Sequence, residues 1–249
     1  MIYITGDTHG TRDIPRFSSP KFLQEINKPN NIVIVTGDFG AVWSNSTLFK
    51  SIEFYEQFKC KFLFIDGNNE NFDMLNAYPI SQEYGGNVQK IGKNITHLMR
   101  GEVYEIEGIK FLAFGGATSY DAPPIYTYTS RVEHESWWKE ETPNTKEFEN
   151  ALNNLKRHNN KVDIILTHET TSKNIHDYFN WSITSPTTKM LDKFDDLVDY
   201  KMWFFGHHHS DLQVSQFERC IYTDFIELKY VESLPYKSSC TPPCEINDD

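Results

Sequence analysis

Five short polar clusters carry the residues best suited to chemistry, and each follows an apolar run. Met1–Thr5 leads into Gly6-Asp7-Thr8-His9-Gly10, Ile32–Thr36 into Gly37-Asp38-Phe39-Gly40, and Phe62–Asp66 into Gly67-Asn68-Asn69-Glu70. Ile164–Thr167 leads into His168-Glu169, and Met202–Phe205 into Gly206-His207-His208-His209. The side chains on offer are carboxylates, imidazoles and an amide oxygen, a mixture that suits borderline first-row divalent ions. Calcium or magnesium alone would favour an all-oxygen set. A carboxylate such as Asp38 can bridge two ions, and two ions roughly 3.5–4 Å apart can clamp a phosphoryl group and activate water near neutral pH.

The elements that would position these residues are legible as patterns. Continuous β-branched and aromatic runs read as strands buried on both faces. Helical spacing appears between them at 47–58, at 145–158 (Phe148, Leu152 and Leu155 on one stripe) and at 187–198, where Pro186 suits a first turn. Strand–helix alternation predicts right-handed crossovers, and ligands are then expected outside the carboxyl ends of the strands. Residues 103–106 and 110–114 predict a hairpin through Glu107-Gly108. Residues 212–217, 221–225 and 226–231 predict antiparallel strands.

The order of the five clusters resembles the calcineurin-like metallophosphoesterase superfamily, matched here by GDTHG (6–10), GDFG (37–40), GNNE (67–70), THE (167–169) and GHHH (206–209). The resemblance implies an α/β fold, a four-layer αββα sandwich of two mixed sheets flanked by helices. It also implies one ion held by Asp7, His9, Asp38 and His209, and a second held by Asp38, Asn68, His168 and His207. The cofactors expected are two divalent metal ions, manganese first, with iron, zinc, nickel or magnesium as alternatives. The activity expected is hydrolysis of a phosphomonoester or phosphodiester, of small-molecule or nucleotide type, by a hydroxide shared between the ions.

Two departures from the family pattern bear on mechanism. The third motif has Asn69 where the family has a histidine that contacts substrate and protonates the leaving oxygen. An amide can hydrogen-bond a phosphate but cannot act as a general acid. Asn69 is therefore natural with another acid in its place, or a substitution that traps substrate, or the mark of a pseudo-enzyme that binds a phosphorylated ligand without turnover. The second motif reads GDFGAVWSN and lacks the arginine of the protein Ser/Thr phosphatases. Phosphate clamping then falls to Arg131, in the long segment 117–143, ahead of Arg100, whose place before Gly101 predicts a surface turn. Asp38, Asn69 and His208 are the candidates for catalytic parts, His208 by orienting a neighbour. Glu70 and Glu169 are candidate partners of the ligands.

Bulk properties bound the rest. The 249 residues, 39% of them hydrophobic, suit one domain over 1–234, with a cap-like insertion at about 117–143 and a polar tail at 235–249 that holds Cys240 and Cys244. Cys60 and Cys220 lie beside apolar segments and read as inert thiols. The net charge of −11 and the lack of a basic stripe argue against long duplex nucleic acid as a partner. No apolar run is long enough for a membrane span, and the opening residues lack a signal-peptide pattern, so the cytoplasm is the expected location.

Overall fold

In a computed structural model, residues 1–179, 184–229 and 231–239 are described. The predicted Cys240/Cys244 tail therefore lies mostly outside the described residues. Among the described residues, thirteen strands form two sheets. In chain order the elements are β1 (Ile2–Thr5), β2 (Ile32–Thr36), α1 (Asn45–Glu56), β3 (Lys61–Ile65), α2 (Phe72–Asn76), β4 (Ile80–Glu83), β5 (Gly86–Lys90), β6 (Ile95–Leu98), β7 (Glu102–Ile106) and β8 (Ile109–Phe114). Then come α3 (Thr145–Arg157), β9 (Ile164–Thr167), α4 (Ser172–Phe179), α5 (Pro186–Leu197), β10 (Met202–Phe205), β11 (Leu212–Gln213), β12 (Glu218–Cys220) and β13 (Ile226–Glu227). The first sheet runs β13-β1-β2-β3-β6-β5-β4 and the second β11-β12-β10-β9-β8-β7. Both mix parallel and antiparallel pairs.

The apolar strands are uninterrupted because both of their faces are covered. Ile2, Ile4, Ile32, Ile34, Leu63 and Ile65 point between the sheets, where they meet Ile164, Leu166 and Phe204. Their neighbours Tyr3, Val33, Val35, Phe62 and Phe64 point outward, into an aromatic layer with Tyr55 of α1 and Leu75 of α2. Ile165, Trp203 and Phe205 face outward from the second sheet, onto Ala151 and Leu155 of α3 and Leu191 and Phe194 of α5. The result is the expected sandwich of two mixed sheets between helices.

Helix starts follow side-chain capping. Ser44 accepts from Thr47 N at 3.2 Å, Asn144 and Glu147 form a reciprocal capping box on α3, and Pro186 opens α5 behind Ser185. The hairpin β7–β8 turns at Glu107-Gly108 as predicted. Elsewhere the chain departs from expectation. The chain forms α4 just after His168, a helix not among the three expected from spacing. The predicted strand at 221–225 is absent, because the Asp211 carboxylate takes the backbone N–H groups of Tyr222, Thr223 and Asp224 at 2.8, 3.0 and 3.1 Å. Those donors are withdrawn from any ladder. The short β12 ends just before them and pairs parallel with β10 rather than joining a purely antiparallel set.

Parallel register aligns the carboxyl ends that matter. Thr5 sits opposite Val35, Thr36 opposite Ile65, and Thr167 opposite Phe205. The five polar clusters therefore emerge along one edge of the sandwich, the edge predicted for ligands.

Candidate metal centre

The loops after β1 and β2 are zipped together by their backbones. Thr8 N and His9 N both donate to Asp38 O, at 3.0 and 2.9 Å, and Gly10 N donates to Phe39 O at 2.7 Å. The other glycines make room for side chains from distant motifs. A Cβ on Gly67 would run into the Asp38 carboxylate, and one on Gly206 into Asp7 Oδ1. His9, Asp38, His207 and His209 have φ of 45°, 47°, 67° and 45°. Non-glycine residues reach this left-handed region at a cost of about 1–3 kcal/mol each, and such outliers cluster at functional sites.

All seven residues singled out as ligands from the sequence come together. Asp38 Oδ2 lies 3.2 Å from His9 Nε2, and Asp38 Oδ1 lies 3.2 Å from His168 Nε2. His168 Nε2 is also 3.2 Å from Asn68 Oδ1, while the His207 ring packs edge-on against His168 with centroids 4.9 Å apart. His209 Nε2 is 3.2 Å from Asp7 Oδ2, and its ring meets that of His9 at 5.0 Å. Asp7, His9 and His209 offer donor atoms within 4.8 Å of one another, as do Asp7, Asp38 and His168. Asp7 thus belongs to both groups, where the sequence resemblance gives the shared place to Asp38.

Two of the imidazoles, His9 and His168, are fixed by hydrogen bonds to the far nitrogen. His9 Nδ1 pairs with Asp13 Oδ2 at 2.6 Å and His168 Nδ1 with Thr36 O at 2.9 Å, which leaves both Nε2 atoms turned to the carboxylates. His207 Nε2 is 3.7 Å from Glu169 Oε2, which leaves its Nδ1 free of that partner. Histidines that bind metals are oriented in this way by carboxylate or carbonyl partners. Asp7 Oδ2 is buried and accepts no hydrogen bond, even with His209 Nε2 close by. A buried carboxylate oxygen left unsatisfied beside an imidazole nitrogen fits a shared cation.

The local field demands positive charge. Burial opposes protonation of His168, but Asp38 and Asp7 outweigh it and raise its pKa to about 10. Burial likewise opposes ionisation of Asp38, and His168 and His9 reverse it, holding the carboxyl well below its usual range. His207 differs: burial dominates and lowers it to about 4.

The remaining candidates are placed as follows. Asn69 turns onto Asp38, donating from its backbone at 2.8 Å and from its amide Nδ2 at 2.6 Å. It also lines two cavities that open on the centre. His208 turns to Glu169 rather than to Asp7 or Asp38, although left-handed His207 and His209 keep the His-His-His run from being extended. Its Nε2 is 2.8 Å from Glu169 Oε1, and its ring stacks on Phe179 at 3.8 Å. Glu169 is fully buried. Burial would raise its carboxyl, but His207 and His208 bring it to about 2. Glu70 is fully buried too, and accepts from Gly40 N at 3.1 Å. Arg131 lines the larger cavity, held by Asp121 at 3.0 Å and 3.8 Å from Glu141.

Arg100 corrects the sequence reading. It is buried rather than in a surface role: its Nε donates to Asp66 Oδ2 at 2.7 Å, and its Nη1 to Glu147 Oε2 at 3.1 Å. Asp66 also takes His97 Nε2 at 3.0 Å, and its backbone carbonyl accepts from Gly116 N at 2.8 Å. This network sits directly beneath Gly67-Asn68, and sequence reasoning missed it. A second unforeseen set supports Asn68: its Nδ2 donates to Ser119 Oγ at 3.3 Å, and Ser119 donates to the Glu141 carboxylate. The only cue in the sequence was the length of the segment joining β8 to α3.

The profile of the calcineurin-like phosphoesterase family matches residues 1–211, and the chain belongs to that family. Among solved structures, the chain is similar to phosphopantetheinyl hydrolase from Mycobacterium tuberculosis, at 13% identity and a TM-score of 0.40, over 89% of this chain and 87% of that one. No curated protein matches. No helix among the described residues is long and apolar enough to cross a membrane.

Proposed function

We propose that the chain hydrolyses a phosphate ester of small-molecule or nucleotide type, using two divalent cations, manganese in the first instance. One would be held by Asp7, His9, Asp38 and His209, and the other by Asp38, Asn68, His168 and His207. The observation that carries this reading is the unsatisfied, buried Asp7 Oδ2 amid oriented imidazole nitrogens. Bound cations supply Lewis acidity and make water a nucleophile near neutral pH. The chain's own side chains do the rest. Asn69 and Arg131 bind phosphate oxygens, Glu169 fixes the His207 and His208 rings, and segment 117–143 covers the centre. The buried thiols of Cys60 and Cys220 are in keeping with a reducing compartment such as the cytoplasm.

A second reading, a module that holds a phosphorylated ligand without turnover, draws on Asn69, whose amide is engaged by Asp38 and has no proton to give as an acid. The two are separated by Mn²⁺-dependent hydrolysis of a chromogenic phosphodiester and the matching monoester, for this chain and for Asp38→Asn. Turnover that is lost in Asp38→Asn supports the hydrolase. Two bound cations per chain with no turnover of either ester supports the binding module.

A further inference from the structure

Among the described residues, two cavities reach the candidate centre, and Asn69 lines both of them. The larger, about 730 Å³, extends past His207 to Tyr120, Tyr178 and Phe179. The smaller, about 230 Å³, extends past His9 to Arg12, Trp43 and Thr47. A phosphomonoester has one organic substituent and needs one such cavity. Phosphorus bearing a group on each side needs two, meeting where the phosphoryl oxygens are held.

The smaller cavity has a chemistry of its own. The chain has six arginines. Arg16, Arg100, Arg131, Arg157 and Arg219 each donate at least one side-chain hydrogen bond. The Arg12 side chain makes no hydrogen bond or ion pair among the described residues, and only its backbone N–H is engaged, with His9 O at 3.3 Å. A free guanidinium three residues from His9, in a chain of net charge −11, is a ready donor to a carboxylate or phosphate. Trp43, half-buried and edge-on to Trp138 at 5.3 Å, gives this cavity a firm aromatic wall.

We infer that Arg12, Trp43 and Thr47 form a subsite for the second substituent of a disubstituted phosphate, and that this substituent carries an anionic group. The inference rests on the hydrolase reading above and narrows its substrate to diesters. In the reaction, water forms one new P–O bond and one P–O ester bond breaks. The released oxygen takes up one proton, the attacking water loses one, and the products are a monoester and an alcohol.

The test uses the full chain loaded with Mn²⁺ and three chromogenic probes: p-nitrophenyl phosphate, p-nitrophenyl phenyl phosphate and p-nitrophenyl 4-carboxyphenyl phosphate. Both diesters should exceed the monoester in kcat/KM, and the carboxyphenyl diester should exceed the phenyl diester by roughly ten-fold, the worth of one partly exposed charge-assisted contact. Arg12→Ala should bring that ratio near one, and Arg12→Glu should invert it. A ratio between two diesters is insensitive to the fraction of folded or loaded protein. A ratio unchanged in both variants, or a monoester hydrolysed as well as the diesters, overturns the inference and leaves the hydrolase reading standing. Hydrolysis of none of the three by protein carrying two cations overturns both.

Discussion

The side-chain amide of Asn68 donates to Ser119 Oγ over 3.3 Å. Because Ser119 donates its hydroxyl hydrogen bond to Glu141, its oxygen is left to accept from Asn68, which fixes the amide nitrogen on the outside. Asn68 Oδ1 is thereby turned to His168 Nε2. Ser119→Ala should therefore weaken binding of the cation proposed to use Asn68 by about 10–100-fold, the usual effect of losing such a support. Competition with a fluorescent chelator measures this without reference to activity. An unchanged affinity would mean that Asn68 needs no anchor.

Glu141 should also set part of the pH dependence of stability. Burial raises its carboxyl to about 7, against the smaller opposing effects of Ser119, the Trp138 N–H and Arg131. The unfolded value is about 4.3. A carboxyl raised on folding binds more protons when folded, so its contribution is fully present below about pH 4.3 and is lost as pH rises through about 7. In Glu141→Gln that decline should vanish. Urea unfolding of both proteins between pH 4.5 and 7.5 makes the comparison.

Asp66 has the opposite sign. Burial would raise its carboxyl, but Arg100 and His97 hold it at about 2. Its contribution is present above the unfolded value near 4 and fades as pH falls towards 2. Arg100→Met leaves a buried carboxylate short of its cation, and should cost about 3–5 kcal/mol at neutral pH. Acid unfolding should begin at higher pH in the variant. A loss below 1 kcal/mol in chemical denaturation would show that the network is not the support it resembles.

With an amide at position 69, rate should depend steeply on the leaving group. For p-nitrophenyl esters, Asn69→His should change kcat little. For alkyl esters the histidine should raise it by about 10²–10⁴-fold. A series of esters of graded leaving-group pKa measures the slope. Equal slopes in the two proteins would place the proton donor elsewhere.

Much of the centre was legible in the sequence because its signals are local. An apolar run that switches at once to glycine plus a carboxylate, imidazole or amide marks a strand end and a candidate ligand together, as at Gly37-Asp38 and Gly206-His207. The supporting network was not legible, because its pairings are long-range. Arg100 meets Asp66 across 34 residues and Glu147 across 47, and nothing in a window around Met99-Arg100-Gly101 signals either. The same reason hid Ser119 and Glu141. Arg12 escaped notice because it lies outside the motif beside it. The strand predicted at 221–225 failed for a different cause: Ile221-Tyr222 has strand character, but Asp211, ten residues or more upstream, claims the backbone donors.

Asp7 and the backbone of His207 are joined across a separation of 200 residues, and Gly206 is the residue whose bareness admits the Asp7 carboxylate. In a chain made from its amino end, Asp7 leaves the ribosome about 10–40 s before His207, at roughly 5–20 residues per second. Throughout that interval Asp7, His9, Asp38 and Asn68 have no finished site to complete. Capture of the proposed cations would therefore wait until strand β10 has docked. On the proposed reading a bound ion would report that the two sheets have closed, and a chain cut short before Gly206 would lack His207 and His209.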